Sequence, residues 1–376
     1  MNWSYCRLLA LVALALDAGV CHPQEITILT EDQCASCTIE VTPDIVLGTD
    51  GESVIGYAVD IQRLSDGRFV MAFDDAPYEF TVFSADGSAY RRVGRRGQGP
   101  GEYGHVWTIR EHGDRLHVFD RAGMRMTVLE RDYEVVGTMP VVCFFCLAAD
   151  MAVLPDGSTV LNFGVPEGAS ERDKTPQELM AAERWLTVHI MGEDGQPRLS
   201  MDMADRTEGG EPFRHLEIAP DGSLLSARST EYRIDRWDPA TGEHLESVLR
   251  EADWWPEVNP AFSGGPDQPP PTRMEAMHVD EAGRLWLYIN RPTRDWRDHV
   301  EIGLPVEGAF RYGPGATEWF VEVVDMEAGR VIVSQVVDVE PGAARFFAPG
   351  WLAVYNEDGF PQYRMHRVRL LELEQS

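Results

Sequence analysis

The chain is predicted to be all-β and to fold as a six-bladed β-propeller. One sequence pattern occurs six times along the 376 residues: an apolar strand, a tight glycine turn and a second apolar strand. A period of this length is typical of propellers and solenoids. A second hairpin follows within the repeats, with Asp-Gly turns at Asp86-Gly87 and Asp194-Gly195, and two hairpins make one four-stranded blade. The glycines of the first turn are Gly67, Gly113, Gly157, Gly222, Gly283 and Gly350.

Both ends of the repeat array carry a strand that has no partner within its own repeat. Residues 39–47 read as a strand before the first full repeat, and residues 363–371 read as a strand after the last one. An exposed strand edge invites aggregation, and a closed ring removes it. We therefore expect the N-terminal strand to complete the final blade, with a propeller spanning residues 39–373.

Blades three to five carry insertions. Thr175, Pro176 and Glu178 stand at N-cap, N1 and N3 of a helix expected to run through Trp185. Two longer stretches, residues 254–271 and 290–314, read as loops. Long loops in a compact domain are usually functional or disordered. In a propeller these loops would lie on one rim and could cover the mouth of the channel.

The first 38 residues read as a leader. Arg7 precedes the apolar run Leu8–Leu16, which is too short to span a bilayer, and small residues follow. We expect residues 1–21 to be a signal peptide and residues 22–38 a polar lead, in a protein exported to the periplasm or the medium. Cys21 raises the alternative of a lipoprotein, but the residues before it fit lipid attachment poorly.

Four cysteines form two C-x-x-C pairs: Cys34 with Cys37, and Cys143 with Cys146. Disulfides are expected for all four in an exported protein. A tetrahedral zinc site and a redox pair are the alternatives, although nothing around these cysteines suggests a βαβ redox setting. The connectivity of four cysteines cannot be read from sequence.

The formal net charge of -29 excludes two classes of partner. Nucleic acid and anionic membranes both require a basic face, so we expect neither as a partner. We expect no membrane span either, because the apolar run Leu8–Leu16 is too short. The remaining partners are an unidentified small molecule or protein.

No sequence motif for catalysis or metal binding stands out, and the candidate binding residues lie in loops. The run 94–104 is glycine-rich but lacks the P-loop ending, so it reads mainly as a blade connector. Within it, Arg95 and Arg96 suit carboxylate or phosphate recognition. Trp254, Trp255 and Trp296 could stack on a ligand ring, or they could pack beneath the insertions.

The run Gly94-Arg95-Arg96-Gly97-Gln98-Gly99-Pro100-Gly101-Glu102-Tyr103 resembles a G-x-x-G-x-G-P-G-E-[FY] stretch of bacterial exported six-bladed β-propellers related to NHL-repeat proteins. Residues 322–331 and 368–370 resemble the penultimate hairpin and closing strand of that group. The resemblance covers about residues 39–372. It implies the fold, brings Glu102 and Tyr103 into the candidate binding set, and supplies no catalytic residues.

Two functions remain open from the sequence. The first, which we favour, is a non-catalytic binding or interaction propeller that holds a ligand or partner at the channel mouth without a cofactor. The second is a metal-dependent hydrolase or lyase, similar to propeller lactonases, with a divalent metal in the channel. Its ligands cannot be located from the sequence.

Overall fold

The computed structural model shows six sheets arranged as the blades of a propeller, five of them four-stranded and one five-stranded. The described residues are 25–31, 34–48, 56–142, 150–168, 175–205, 213–257, 259, 265–302, 310–313, 315–339, 343–348, 350–356 and 361–372. The expected signal peptide, residues 1–21, lies outside them.

Strands are numbered along the chain, and each blade is built from the axis outward. Two strands precede the first blade: β1 (Glu25–Ile28) and β2 (Cys37–Leu47). Blade 1 comprises β3 (Ala58–Arg63), β4 (Phe69–Phe73), β5 (Phe80–Phe83) and β6 (Tyr90–Val93). Blade 2 comprises β7 (Val106–His112), β8 (Arg115–Asp120), β9 (Arg125–Glu130) and β10 (Val135–Pro140). Blade 3 comprises β11 (Met151–Val153), β12 (Thr159–Pro166), β13 (Arg184–Met191) and β14 (Pro197–Asp205), with helix α1 (Pro176–Met180) between β12 and β13.

The remaining blades follow the same plan. Blade 4 comprises β15 (Arg214–Ile218), β16 (Leu224–Arg228), β17 (Arg233–Trp237) and β18 (His244–Leu249). Blade 5 comprises β19 (Arg273–Val279), β20 (Leu285–Pro292), β23 (Thr317–Asp325) and β24 (Arg330–Val337), with a 3-10 helix (Trp296–His299) and the strands β21 (Val300–Ile302) and β22 (Phe310–Tyr312) inserted after β20. Blade 6 comprises β25 (Ala343–Ala348), β26 (Trp351–Asn356) and β27 (Gln362–Glu372).

The repeat turns have the backbone geometry that the sequence predicts. At Gly67 φ is +92°, a conformation that side chains with a Cβ rarely adopt. The other five turn glycines also have positive φ. These short turns gather at one end of the propeller, which we call the turn face. The connections between blades, and those between the second and third strands, lie at the opposite end, which we call the loop face.

The predicted closure is confirmed. Strand β2 pairs antiparallel with β27 from Cys37↔Glu372 to Leu47↔Tyr363 and becomes the outermost strand of blade 6. Ile39 and Leu47 on β2 are buried, at 5% and 0% exposure. The ring is therefore closed by a strand from the opposite end of the chain.

The segment before β2 runs along the outer edges of two further blades, which the sequence analysis did not anticipate. Strand β1 pairs parallel with β18 and adds a fifth strand to blade 4. Thr30 then bridges to Arg330 at the edge of blade 5, and the Cys34 amide donates to the Ile332 carbonyl at 2.8 Å. The described residues of the lead, 25–31 and 34–38, are therefore part of the folded propeller.

The disulfide prediction is confirmed for one of the two C-x-x-C pairs. Cys34 and Cys37 form a disulfide just where the chain passes from blade 5 to blade 6. Cys143 and Cys146 lie outside the described residues, in the gap between residues 142 and 150. The disulfide expected at Cys143 and Cys146 therefore stays a prediction.

Two insertions differ in part from their predicted form. The Thr175 capping box is present, but α1 ends at Met180 because residues from Arg184 onward pair in β13. The stretch 290–314 is not only loop, since it contains the 3-10 helix and the β21–β22 hairpin. Hydrophobic period and turn residues do not reveal such short local elements.

A buried histidine between β13 and its neighbours predicts a pH dependence of stability. The Nδ1 and Nε2 atoms of His189 lie 2.8 Å from the Ser200 hydroxyl and 3.0 Å from the Phe163 carbonyl. Burial lowers the pKa of His189 to about 4, whereas an unfolded histidine titrates near about 6.5. The unfolded state therefore binds the proton more tightly between these values. The contribution of His189 to stability should be constant above about pH 6.5 and fall by about 3 kcal/mol as the pH drops to about 4.

Urea unfolding of wild type and His189→Gln between pH 7.5 and 4 checks this expectation. His117, whose pKa burial also lowers to about 4, titrates in the same window and remains in the variant. The pH dependence of the unfolding free energy should therefore be smaller in the variant by the contribution of about one proton. The remaining dependence, to which His117 contributes, should be unchanged. An identical slope in both proteins would contradict the assignment to His189.

Candidate functional site

The first strands of the six blades surround a cavity on the propeller axis. Its volume is about 730 Å³, within the usual range of small-molecule sites of about 300–1,000 Å³. Residues from β3, β7, β15, β19 and β25 line it, together with Asp150 and β11. The closed ring therefore leaves an axial space large enough for a small ligand.

One position recurs in all six first strands and shows how the repeats differ at the axis. In each blade the residue at this position pairs with a buried residue in the middle of the second strand, which places all six at equivalent depth. The fold is repeated from blade to blade, but the chemistry at this position is not. We call these residues the inner ring: Gln62, Arg110, Ala152, Glu217, His278 and Arg345.

Arg110 is neutralised by two aspartates of the channel wall. Its Nη1 atom lies 2.9 Å from Asp60 Oδ2, and its Nη2 atom lies 2.6 Å from Asp150 Oδ1. Burial opposes its charge, but these two carboxylates raise the pKa of Arg110 above its usual value. Asp60 also accepts from the Ile109 amide at 2.6 Å, and Asp150 from the Leu216 amide at 2.9 Å. This cluster therefore ties neighbouring blades together.

Two further acids near the turn face also have partners. Glu111 accepts from the Ser65 amide and hydroxyl at 2.6 and 2.9 Å. Glu217 accepts from the Ile218 amide at 3.2 Å, and its Oε2 lies 3.4 Å from His278 Nδ1. These polar groups are occupied by the protein itself.

The loop-face mouth of the cavity is aromatic. The Arg345 guanidinium carbon lies 4.7 Å from the centre of the Tyr57 ring. Trp107 is held between Arg121, at 3.7 Å, and the edge-on ring of His105, at 5.4 Å. Trp319 also lines the cavity. A flat ring entering the mouth would meet three fixed aromatic faces or edges.

Several polar groups at this mouth have no partner within the described part of the chain. The carboxylate of Glu275, the amide of Asn290 and the guanidinium of Arg345 make no hydrogen bond or ion pair with the residues that the structure describes, and the Arg345 Nε atom is buried without an acceptor. The same holds for the indole N–H groups of Trp107 and Trp319. Unlike the acids deeper in the channel, these groups are available to a ligand.

The candidate residues of the glycine-rich run lie on the loop face but do not line the cavity. Glu102 accepts from the Gln98 and Gly99 amides at 3.0 and 2.8 Å and pairs with Arg95 at 2.9 Å. The backbone N–H groups that could cradle a phosphate are thus filled by the chain's own carboxylate. Arg96 lies over the Tyr78 ring at 5.0 Å, and Tyr103 is fully buried between blades 1 and 2.

The three loop tryptophans also pack against the protein. Trp254 and Trp255 lie edge-on to each other at 5.7 Å, beside the core shared by blades 4 and 5. Trp296 is 6% exposed and lies edge-on to Tyr312. The Tyr312 hydroxyl donates to the Gln268 carbonyl at 2.8 Å and so joins the two insertions. As ligand contacts, these tryptophans and the residues of the glycine-rich run stay predictions.

The mouth residues themselves were not predicted as a site. Trp107 and Trp319 looked like core aromatics, and the other members stand far apart in sequence. Alignment of the repeats on their turn glycines would have placed Arg345 in the inner ring. It could not have shown which member of that ring lacks a partner.

Neither a metal-binding cluster nor a membrane-spanning helix is found among the described residues. They contain no group of three or more His, Cys, Asp or Glu side chains placed to hold a metal ion. No helix among them is long and apolar enough to cross a membrane.

Known proteins that are similar to this chain have the same propeller fold. Residues 25–154, about a third of the chain, match a family model described as a 6-bladed beta-propeller. The chain matches no curated protein sequence.

Solved structures with the same architecture are distant in sequence. A member of the DUF4221 family from Bacteroides vulgatus is 10% identical, with a TM-score of 0.57 over 89% of this chain and 99% of that one. A protein from Bacteroides fragilis described as exported is 12% identical, with a TM-score of 0.52 over 92% and 99%. A gluconolactonase from Xanthomonas campestris is 14% identical over 91% and 95%, but its TM-score of 0.47 is too low to bear on the chemistry of this chain. These likenesses show the propeller fold alone.

Proposed function

We propose that this chain is an exported, non-catalytic binding propeller that takes a small organic ligand at the loop-face mouth of its axial cavity. The observation that carries the proposal is a set of polar groups, without a partner among the described residues, that lies among aromatic side chains at that mouth. The acids of the channel wall below it are hydrogen-bonded or ion-paired within the protein. Export is supported by the leader-like N-terminal sequence.

The composition of the mouth suits ligand binding. Small-molecule sites combine apolar and aromatic walls with a few polar groups that fix orientation. Here the walls come from aromatic side chains and the polar groups from an amide, a carboxylate and a guanidinium. The ion pairs beneath them hold the blades in place, so the site should be largely preformed. The residues concerned are Tyr57, Trp107, Trp319, Asn290, Glu275 and Arg345.

Saturation-transfer NMR with benzyl alcohol, indole, methyl glucoside and benzoate tests the proposal. We expect transfer from wild type to at least one of these ring-bearing probes, because aromatic walls accept flat or sugar rings. Transfer should be lost in the double variant Trp107→Ala/Trp319→Ala and kept in Trp255→Ala, which alters a tryptophan outside the cavity. Both variants need melting curves that show an intact fold. No transfer from wild type, or transfer that survives in the double variant, would contradict the proposal.

A further inference from the structure

We propose that the ligand of this cavity is a ring-bearing organic acid with a single negative charge, and that Arg345 binds its carboxylate. This inference rests on the proposed function and names the chemical class of its ligand.

The first step is the contrast between the two guanidiniums of the inner ring. Arg110 and Arg345 occupy equivalent positions in blades 2 and 6. Arg110 is held by Asp60 and Asp150 at 2.9 and 2.6 Å. Arg345 has no acidic partner in the described part of the chain, although the formal net charge is -29. A half-buried cation left without a carboxylate in so acidic a protein indicates that its counter-ion comes from outside.

The second step is the state of the Arg345 side chain. Its Nε atom is buried without a hydrogen-bond acceptor, which carries a desolvation cost. The guanidinium carbon lies 4.7 Å from the centre of the Tyr57 ring, so one side of the guanidinium contacts that ring. A planar guanidinium presents a rigid fork of donors that matches the two oxygens of a carboxylate. A bound carboxylate would therefore satisfy donors that the protein leaves unused.

The third step concerns the charge of the ligand. Five carboxylates and two guanidiniums line the cavity, and Asp60 and Asp150 share the single positive charge of Arg110. Glu217 in the inner ring and Glu275 at the mouth add negative charge to the cavity wall. One guanidinium can compensate one negative charge in this field, whereas a second charge on the ligand would be repelled. The site thus favours a carboxylate over a phosphate dianion.

The fourth step concerns the rest of the ligand. Tyr57, Trp107 and Trp319 surround the same mouth as Arg345, so the atoms attached to the carboxylate would meet aromatic surfaces. An aromatic or other flat ring gains most from such contacts. Asn290 and the indole N–H groups could then hydrogen-bond to polar substituents on that ring.

Calorimetric titration with benzoate, benzyl alcohol and phenyl phosphate tests the inference. The first two probes share a ring and differ in the carboxylate, and the third carries a second charge. Benzoate should bind wild type about 10-fold or more tightly than Arg345→Met, while benzyl alcohol should bind both proteins equally. Phenyl phosphate should bind wild type more weakly than benzoate.

Three outcomes would overturn the inference and leave the proposed function standing. They are equal binding of benzoate and benzyl alcohol to wild type, unchanged benzoate affinity in Arg345→Met, and tighter binding of phenyl phosphate than of benzoate. Binding of none of the probes, together with no saturation transfer, would overturn both the inference and the proposed function.

The stability of the ligand-free protein supplies a second readout that needs no ligand. Arg345→Met should raise the melting temperature by about 1–2 °C, because it removes an unsatisfied buried donor. The matched variant Arg110→Met should lower the melting temperature by several degrees, because it leaves Asp60 and Asp150 without their cation. A comparable fall in Arg345→Met would overturn the inference, since it would show that the protein itself uses this guanidinium.

Discussion

Deletion of residues 25–48 should abolish cooperative folding of the propeller. The deletion removes β2, and with it ten paired positions along β27. Leu47 is fully buried and Ile39 nearly so, and each such side chain contributes about 1.5–3 kcal/mol. The free energy lost with these side chains, with the hydrogen bonds between β2 and β27 and with β1 approaches the entire unfolding free energy of a typical domain, about 5–15 kcal/mol. Guanidinium chloride unfolding followed by far-UV circular dichroism should show no sigmoidal transition.

A circular permutant provides the matched control. Cys37 pairs with Glu372, so the start of β2 lies beside the end of β27. A short Gly/Ser linker from residue 372 to residue 37 would turn this pair into an ordinary hairpin, in a chain that begins at residue 56 and ends at residue 48. This permutant should regain a cooperative transition. A deletion variant that unfolds cooperatively near the wild-type midpoint would show that closure by β2 is not required.

Replacement of Glu322 by Ala should destabilise the protein by about 3–5 kcal/mol. Glu322 is fully buried between blades 4 and 5 and forms an ion pair with Arg250, whose side chain is 2% exposed. Its carboxylate also accepts hydrogen bonds from the Tyr232 and Ser334 hydroxyls, both at 2.6 Å. Burial opposes the charge of Arg250, but Glu322 raises its pKa. The variant leaves this cation buried with only Glu31, which is 65% exposed, as its acidic partner among the described residues.

Removal of both charges at once separates the ion pair from its surroundings. Replacement of both partners, as Arg250→Met/Glu322→Leu, removes both charges and should recover most of the loss. Glu275→Ala, which removes an exposed acid without a described partner, should change stability by no more than about 0.5 kcal/mol. Midpoints and slopes of guanidinium chloride unfolding give the unfolding free energy of wild type and of each variant. A Glu322→Ala loss as small as that of Glu275→Ala would contradict the buried-pair interpretation.

The fold could be predicted from the sequence because propeller architecture depends on local sequence patterns. The six turn glycines require positive φ, and the apolar strands around them require burial on both faces. Both properties can be recognised from residues that are adjacent in the sequence. Closure was also predictable, since the unpaired strands at residues 39–47 and 363–371 could satisfy each other.

The candidate site was not predictable in the same way. The glycine-rich run 94–104 reads mainly as a blade connector, with Arg95 and Arg96 as candidates for anion recognition, and in the structure the Gln98 and Gly99 amides donate to the Glu102 carboxylate. Trp254 and Trp255 were open to two interpretations, ligand stacking or packing beneath an insertion, and in the structure they pack beside the core of blades 4 and 5. The path of β1 along blade 4 was also invisible, because a four-residue edge strand carries no period of its own.

The sequence by itself determined the repeat, the number of blades and the closing strand, since each follows from periodicity, turn chemistry and unpaired edges. Only the tertiary structure decided which charges are used and which are free. Arg110 and Arg345 are alike in sequence and in register, but the neighbours that neutralise the first are Asp60 on blade 1 and Asp150 before β11. Pairing between side chains on different blades depends on distances across the axis, and residues far apart along the chain come within those distances only when the ring has closed.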